Sequence, residues 1–103
     1  MNGRTVTNPR RVVEAASLEL LVEAYSDALR LTVFADNNGV RFTCPSCGGV
    51  DRNNPLAQIC ADGWRWHCWT CRYRGTRAMF ERLVLENADA LVRLFELRHE
   101  VIN

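Results

Sequence analysis

Residues 44–49 read CPSCGG and residues 67–75 read HCWTCRYRG, so two Cys-x-x-Cys pairs, Cys44/Cys47 and Cys68/Cys71, stand twenty residues apart. That spacing predicts one zinc ion held by four thiolates, each pair forming a short knuckle whose sulfurs reach the cation from one side. The ion would pin both ends of the intervening chain. Within it, Leu56 to Cys60 and Trp64 to His67 read as the strands of a hairpin around Ala61-Asp62-Gly63, since Asp-Gly between alternating strands is a strong turn signal.

Other uses of the cysteines fit less well. A thioredoxin-type redox centre needs one Cys-x-x-Cys in a βαβ setting, which surrounds neither pair. Two disulfides need an oxidising compartment, and the N-terminal MNGRTVTNPRR has no apolar signal segment. The expected compartment is therefore the cytoplasm. Four protein ligands leave no open position for a catalytic water, so the expected role of the zinc is structural and the chain is not read as an enzyme. Cys60, the fifth cysteine, is expected as a small buried apolar residue. His67 precedes Cys68 and should point to the opposite strand face, away from the metal.

At 103 residues with 48% hydrophobic composition, only a modest core can be buried, and metal binding would contribute folding free energy directly. No apolar run is long enough to span a membrane. The formal net charge of +1 hides an uneven distribution. Residues 41–77 carry six arginines against Asp51 and Asp62, whereas residues 14–40 carry five carboxylates against Arg30. A tetrathiolate zinc subtracts two charges from the basic segment.

Outward from the knuckles, Leu31 to Ala35 and Val40 to Thr43 predict a first hairpin around Asp36-Asn37-Asn38-Gly39. Leu18, Leu21, Val22, Tyr25 and Leu29 recur at helical spacing and predict an amphipathic helix over 18–29. Before it, residues 1–16 read as an N-terminal extension: a loose start, then a helix entry at Asn8-Pro9 with Val12 and Val13 as a short apolar patch. The domain proper is taken as 17–103. After Cys71 the run Arg72-Tyr73-Arg74-Gly75 leaves the ribbon. Thr76 caps a helix to about Glu86 with Met79, Phe80, Leu83 and Val84 inward, and Asn87 opens another to about His99. The fold class is α+β: a small zinc ribbon of antiparallel β-hairpins with one four-cysteine zinc site, flanked by an N-terminal helix and two C-terminal helices.

Trp64, Trp66 and Trp69 lie among Arg65, His67, Arg72, Tyr73 and Arg74. Aromatic rings stack on unpaired bases and arginines hold phosphates, so the mixture suits single-stranded nucleic acid. Alternation places Trp64, Trp66 and Cys68 on one face and Arg65, His67 and Trp69 on the other. Trp66 and Trp69 are expected to serve packing. Arg41, Trp64, Arg65, Arg72, Arg74 and Arg77 are the candidate nucleic-acid contacts.

The order of hairpin, CPSC knuckle, second hairpin, His-Cys-x-x-Cys knuckle, glycine and helix resembles the zinc-binding domain of bacterial DnaG-type primases and their phage relatives. The residues that carry the likeness are Cys44-Pro45-Ser46-Cys47, Trp66-His67-Cys68, Trp69, and Gly75 leading into Phe80, within a span from about Leu18 to Leu97. Bacterial members commonly have histidine where this chain has Cys47, which makes the all-cysteine set nearer the phage version. The resemblance implies that the ribbon reads a short start site on single-stranded template DNA, with contacts from the hairpin after Asp62-Gly63. It also implies partnership with a separate primase catalytic chain or a helicase. The alternative is a protein-interaction module docking on a replication or transcription protein, which the acidic helices and near-neutral total charge favour.

Overall fold

The computed structural model describes residues 8–37, 39–48 and 57–98. Asn38, the loop Arg52-Asn53-Asn54-Pro55, Leu56, His99 and the start at residues 1–7 lie outside them. The described residues form a small α+β fold of four helices and one five-stranded antiparallel sheet. In chain order the elements are α1 (Pro9–Ala15), α2 (Leu18–Leu29), β1 (Val33–Asp36), β2 (Gly39–Phe42), β3 (Ala57–Ile59), β4 (Arg65–Cys68), β5 (Arg74–Thr76), α3 (Arg77–Leu85) and α4 (Ala88–Leu97).

Both hairpins form where the sequence places them, as β1–β2 and β3–β4. Two further pairings make them one sheet. Arg41 faces Gln58 and Phe42 faces Ala57 across β2–β3, and β5 adds itself to β4 with Trp66 opposite Gly75. The segment read as an exit from the ribbon is thus its fifth strand. The reason lies at Gly75: a Cβ there would overlap the indole of Trp66, so only a bare backbone lets β5 close over that ring.

One face of the sheet is covered by the helices. Phe42 and Trp66 meet Phe80 of α3 edge-on with ring centroids 5.5 and 5.6 Å apart, and Tyr73 stacks on Trp66 at 5.3 Å. α2 contributes Leu18, Leu21 and Val22 to the same core, and α4 contributes Ala90, Leu94 and Phe95. Helix ends follow the local chemistry. The Ser17 hydroxyl accepts from the Leu20 N–H at 3.2 Å and the Asn87 side chain from Ala90 at 3.0 Å, each satisfying an orphan donor of a first turn. Thr76 precedes α3 without a side-chain capping bond, contrary to the sequence reading. The backbone carbonyl of Trp64 accepts from the Arg77 N–H at 2.8 Å instead, so the sheet caps the helix.

α1 begins at Asn8-Pro9 as the sequence indicates, but it is part of the common core. Asn8 accepts from the Arg10 N–H and Pro9 opens the helix, and Val12, Val13 and Ala16 join the common core. Packing therefore runs straight across residue 16, where the sequence suggests an extension meeting a domain. No helix among the described residues is long and apolar enough to cross a membrane.

Candidate metal centre and the open sheet face

Cys44, Cys47, Cys68 and Cys71 converge, with all four sulfurs within 4.8 Å of one another. The Cys44–Cys71 sulfur separation is 3.8 Å and the Cys47–Cys68 separation 3.7 Å. Four sulfurs around a metal at about 2.3 Å per bond form a tetrahedron with edges of about 3.8 Å, so the spacing fits one tetrahedral ion. The all-sulfur donor set suits zinc or iron. Cys44 and Cys68 are buried while Cys47 and Cys71 are exposed, one of each from either knuckle.

The knuckles are built alike. The residue after the second cysteine donates its N–H to the carbonyl of the first, Gly48 to Cys44 at 2.8 Å and Arg72 to Cys68 at 3.0 Å. Both donors are left-handed, with φ of 75° at Gly48 and 66° at Arg72. Burial pushes the Cys44 thiol up to about 12. At Cys68, burial pulls the same way, but N–H groups of Cys71 and Thr70 bring the thiol down to about 7. A divalent cation would hold all four as thiolates. Cys60 stays outside this cluster, half-buried, with its sulfur 3.7 Å from His67 Nδ1. His67 points away from the sulfurs onto the other face, as alternation requires.

Among the described residues that other face is free of helices, and it carries an ordered row. Strand register aligns Phe34, Arg41, Gln58, His67 and Arg74 side by side across all five strands. Next to this row, Arg65 pairs across with Thr76. Trp69 is 60% exposed and closes the knuckle end of the face: its ring stands 4.3 Å from the His67 ring, and its Nε1 donates to Gln58 Oε1 at 3.4 Å. Arg65 is held by Asp62 at 2.7 Å, and the Trp64 N–H and Arg65 together keep the Asp62 carboxyl below the usual carboxylate range.

Of the six candidate contacts, Arg41, Arg65 and Arg74 lie on this face, and Arg72 borders it at the knuckle. Trp64 does not. It is 64% exposed but sits toward α3, with the Arg77 guanidinium 5.7 Å from its ring centre. Arg77 is a correction. It is buried, donates to the Val13 and Glu14 carbonyls at 2.9 Å each, and pairs with Glu81 at 2.7 Å. Those carbonyls lie in the last turn of α1, where Val13 also takes a long 3.3 Å bond from the Ala16 N–H and a cation meets the negative end of the helix dipole. Arg77 therefore clamps α1 to α3 and leaves the contact set. Trp69 is the reverse case: read as a packing residue, it is the exposed ring on the cationic face. The signal was present in the alternation that put it with His67 and away from Trp66.

No protein-family profile matches the chain, and neither a curated protein nor a solved structure is significantly similar to it. The four-sulfur cluster and the open sheet face thus carry the functional reading by themselves.

Proposed function

We propose that this chain is a single-stranded-DNA-binding module built on one structural zinc ion, and that it serves as the template-recognition part of a primase, working in trans with a catalytic chain. The observation that carries the proposal is the sheet face that no described helix covers, on which exposed Arg65 and Arg74 and half-buried Arg41 share a face with the Trp69 ring. Exposed rings and cations on one open sheet suit unpaired bases strung on phosphates and suit duplex DNA poorly. The zinc shapes this surface by fixing both knuckles, and with four sulfur ligands it supplies no reaction.

The test is a titration of zinc-loaded protein with fluorescent single-stranded DNA and with duplex of equal length. Trp69→Ala should weaken strand binding about 5–150-fold, the equivalent of losing one stacked base at about 1–3 kcal/mol. Arg74→Ala should lower the salt dependence by close to one phosphate contact. Equal affinity for strand and duplex, or an unaffected Trp69→Ala, defeats the reading. Metal analysis should return one zinc per chain.

A second reading, docking on a replication or transcription protein, is favoured by Trp64. With Arg65, Thr76, Arg77, Ala78 and Glu81 it lines a groove of about 380 Å³ at the edge of the cationic face, toward α3. Recovery of one stoichiometric partner after nuclease treatment, lost in Trp64→Ala and kept in Trp69→Ala, would support it.

A further inference from the structure

A cavity of about 640 Å³ opens on the outward face of β4 and β5 against the second knuckle, with Cys60, Arg65, His67, Trp69, Arg72 and Arg74 on its wall. That volume lies in the range of roughly 300–1,000 Å³ that encloses one small ligand. It is a pocket let into the sheet face.

Arg72 stands in this wall against its own backbone preference. The first knuckle fills the left-handed position with Gly48, for which such a φ is free, whereas the second places an arginine at the equivalent position. Glycine adopts this conformation at no cost, and Arg30, the left-handed C-cap of α2, shows that this chain also uses arginine there; what sets Arg72 apart is that it lines the pocket. Its guanidinium and that of Arg74 make no ion pair among the described residues, while Arg65 is engaged by Asp62. Two uncommitted guanidinium groups therefore flank one pocket beside an exposed indole.

We propose that this pocket takes a nucleotide with a terminal phosphate, the phosphomonoester held by Arg72 and Arg74 and the base against Trp69. The inference rests on the nucleic-acid reading of the same face and specifies it. A terminal phosphate carries close to two negative charges at neutral pH, where a diester carries one, and so matches two unpaired cations. Each guanidinium offers a planar fork suited to two phosphate oxygens. The same group could arrive on a free nucleotide or on a strand end, and the chemistry of the pocket is shared by both.

The experiment is calorimetric titration of the zinc-loaded protein with 2′-deoxyadenosine 5′-monophosphate, 2′-deoxyadenosine, inorganic phosphate, and one short single strand bearing a 5′-phosphate, a 3′-phosphate or neither. The expected result is at least a tenfold gain from the terminal phosphate. The arm that shows the gain identifies free nucleotide or strand end as the source. Arg72→Gly should abolish the gain while the unfolding temperature stays equal or rises, because glycine relieves the left-handed position. Arg74→Ala, on an unstrained strand, should reduce the gain as well. Equal affinity with and without the phosphate overturns the inference and leaves strand binding standing. Inorganic phosphate binding as tightly as the nucleotide overturns it too, because the base then plays no part. So does an Arg72→Gly protein that keeps the gain but loses zinc, since Arg72 would then be balancing the charge of the tetrathiolate. A phosphate-dependent gain without any binding of unphosphorylated strands upholds the pocket and defeats the strand-binding reading.

Discussion

Arg77→Met removes the guanidinium that joins the first helix to the third while keeping most of the stem's volume. Two bonds of 2.9 Å to the Val13 and Glu14 carbonyls are lost, together with the 2.7 Å pair to Glu81. Hydrogen bonds to a charged donor contribute about 1.5–3 kcal/mol. The two carbonyl bonds share one nitrogen and amount to little more than one. The Glu81 pair adds only about 0.5 kcal/mol because that carboxylate is partly solvated, with its side chain 29% exposed. The sum is about 2–3 kcal/mol. In a domain of this size each kcal/mol moves the unfolding midpoint by about 4–8 °C, so a fall of roughly 10–20 °C is expected. Thermal unfolding of the metal-loaded protein followed by circular dichroism measures it. Affinity for single-stranded DNA, taken well below both midpoints, should be unchanged. A midpoint within about 2 °C of the parent would show that α1 is held by Val12 and Val13 alone, and a loss of affinity in the folded variant would return Arg77 to the DNA surface.

Stripping the metal with a strong chelator should unfold at least the sheet, since structural zinc binding releases about 10–16 kcal/mol against a typical net stability of about 5–15 kcal/mol; near-ultraviolet circular dichroism of the buried Trp66 reports it. Cys60→Ala should still bind one metal ion per chain, whereas Cys47→Ala or Cys71→Ala should bind it far more weakly, by competition with a colorimetric chelator. Gly75→Ala forces a methyl into the Trp66 ring and should lower stability by about 1–3 kcal/mol in urea unfolding, while a neutral result would mean that β5 can drift off the indole. Asp62 is held below its ordinary value of 3.8, so the turn contact it makes is fully present above that value and is lost as pH falls through the lower folded value. A carboxyl carbon titration by NMR should place its midpoint under 3.8, and a midpoint at or above it would refute the Asp62 turn.

The parts of this fold legible in the sequence are those set by short-range chemistry. Cysteine spacing located the four-sulfur cluster, Asp62-Gly63 and Gly39 marked the hairpin turns, and Ser17 and Asn87 marked helix starts. What escaped depends on residues far apart in the chain. β5 is three residues long and exists because Gly75 fits over Trp66, a fact about two strands together. α1 offers only two buried valines, and its attachment comes from Arg77, sixty-four residues beyond Val13. At Arg77 the charge was visible, but its destination inside the core was not, because an arginine read in sequence looks equally suited to phosphate or to helix carbonyls. The site divides in the same way. The four sulfurs followed from spacing, whereas the row from Phe34 to Arg74 needed the register between all five strands.

Arg93 pairs with Asp27 sixty-six residues earlier, much as Arg77 reaches back to Val13, so both N-terminal helices are completed by partners from the last third of the chain. During synthesis at about 5–20 residues per second, the apolar stripe of α2 leaves the ribosome roughly 3–13 s before the helices that cover it. Through that interval α2 lacks α3 and α4, the helices against which most of it packs. The two helices made first therefore cannot complete their packing until the two made last have been synthesised.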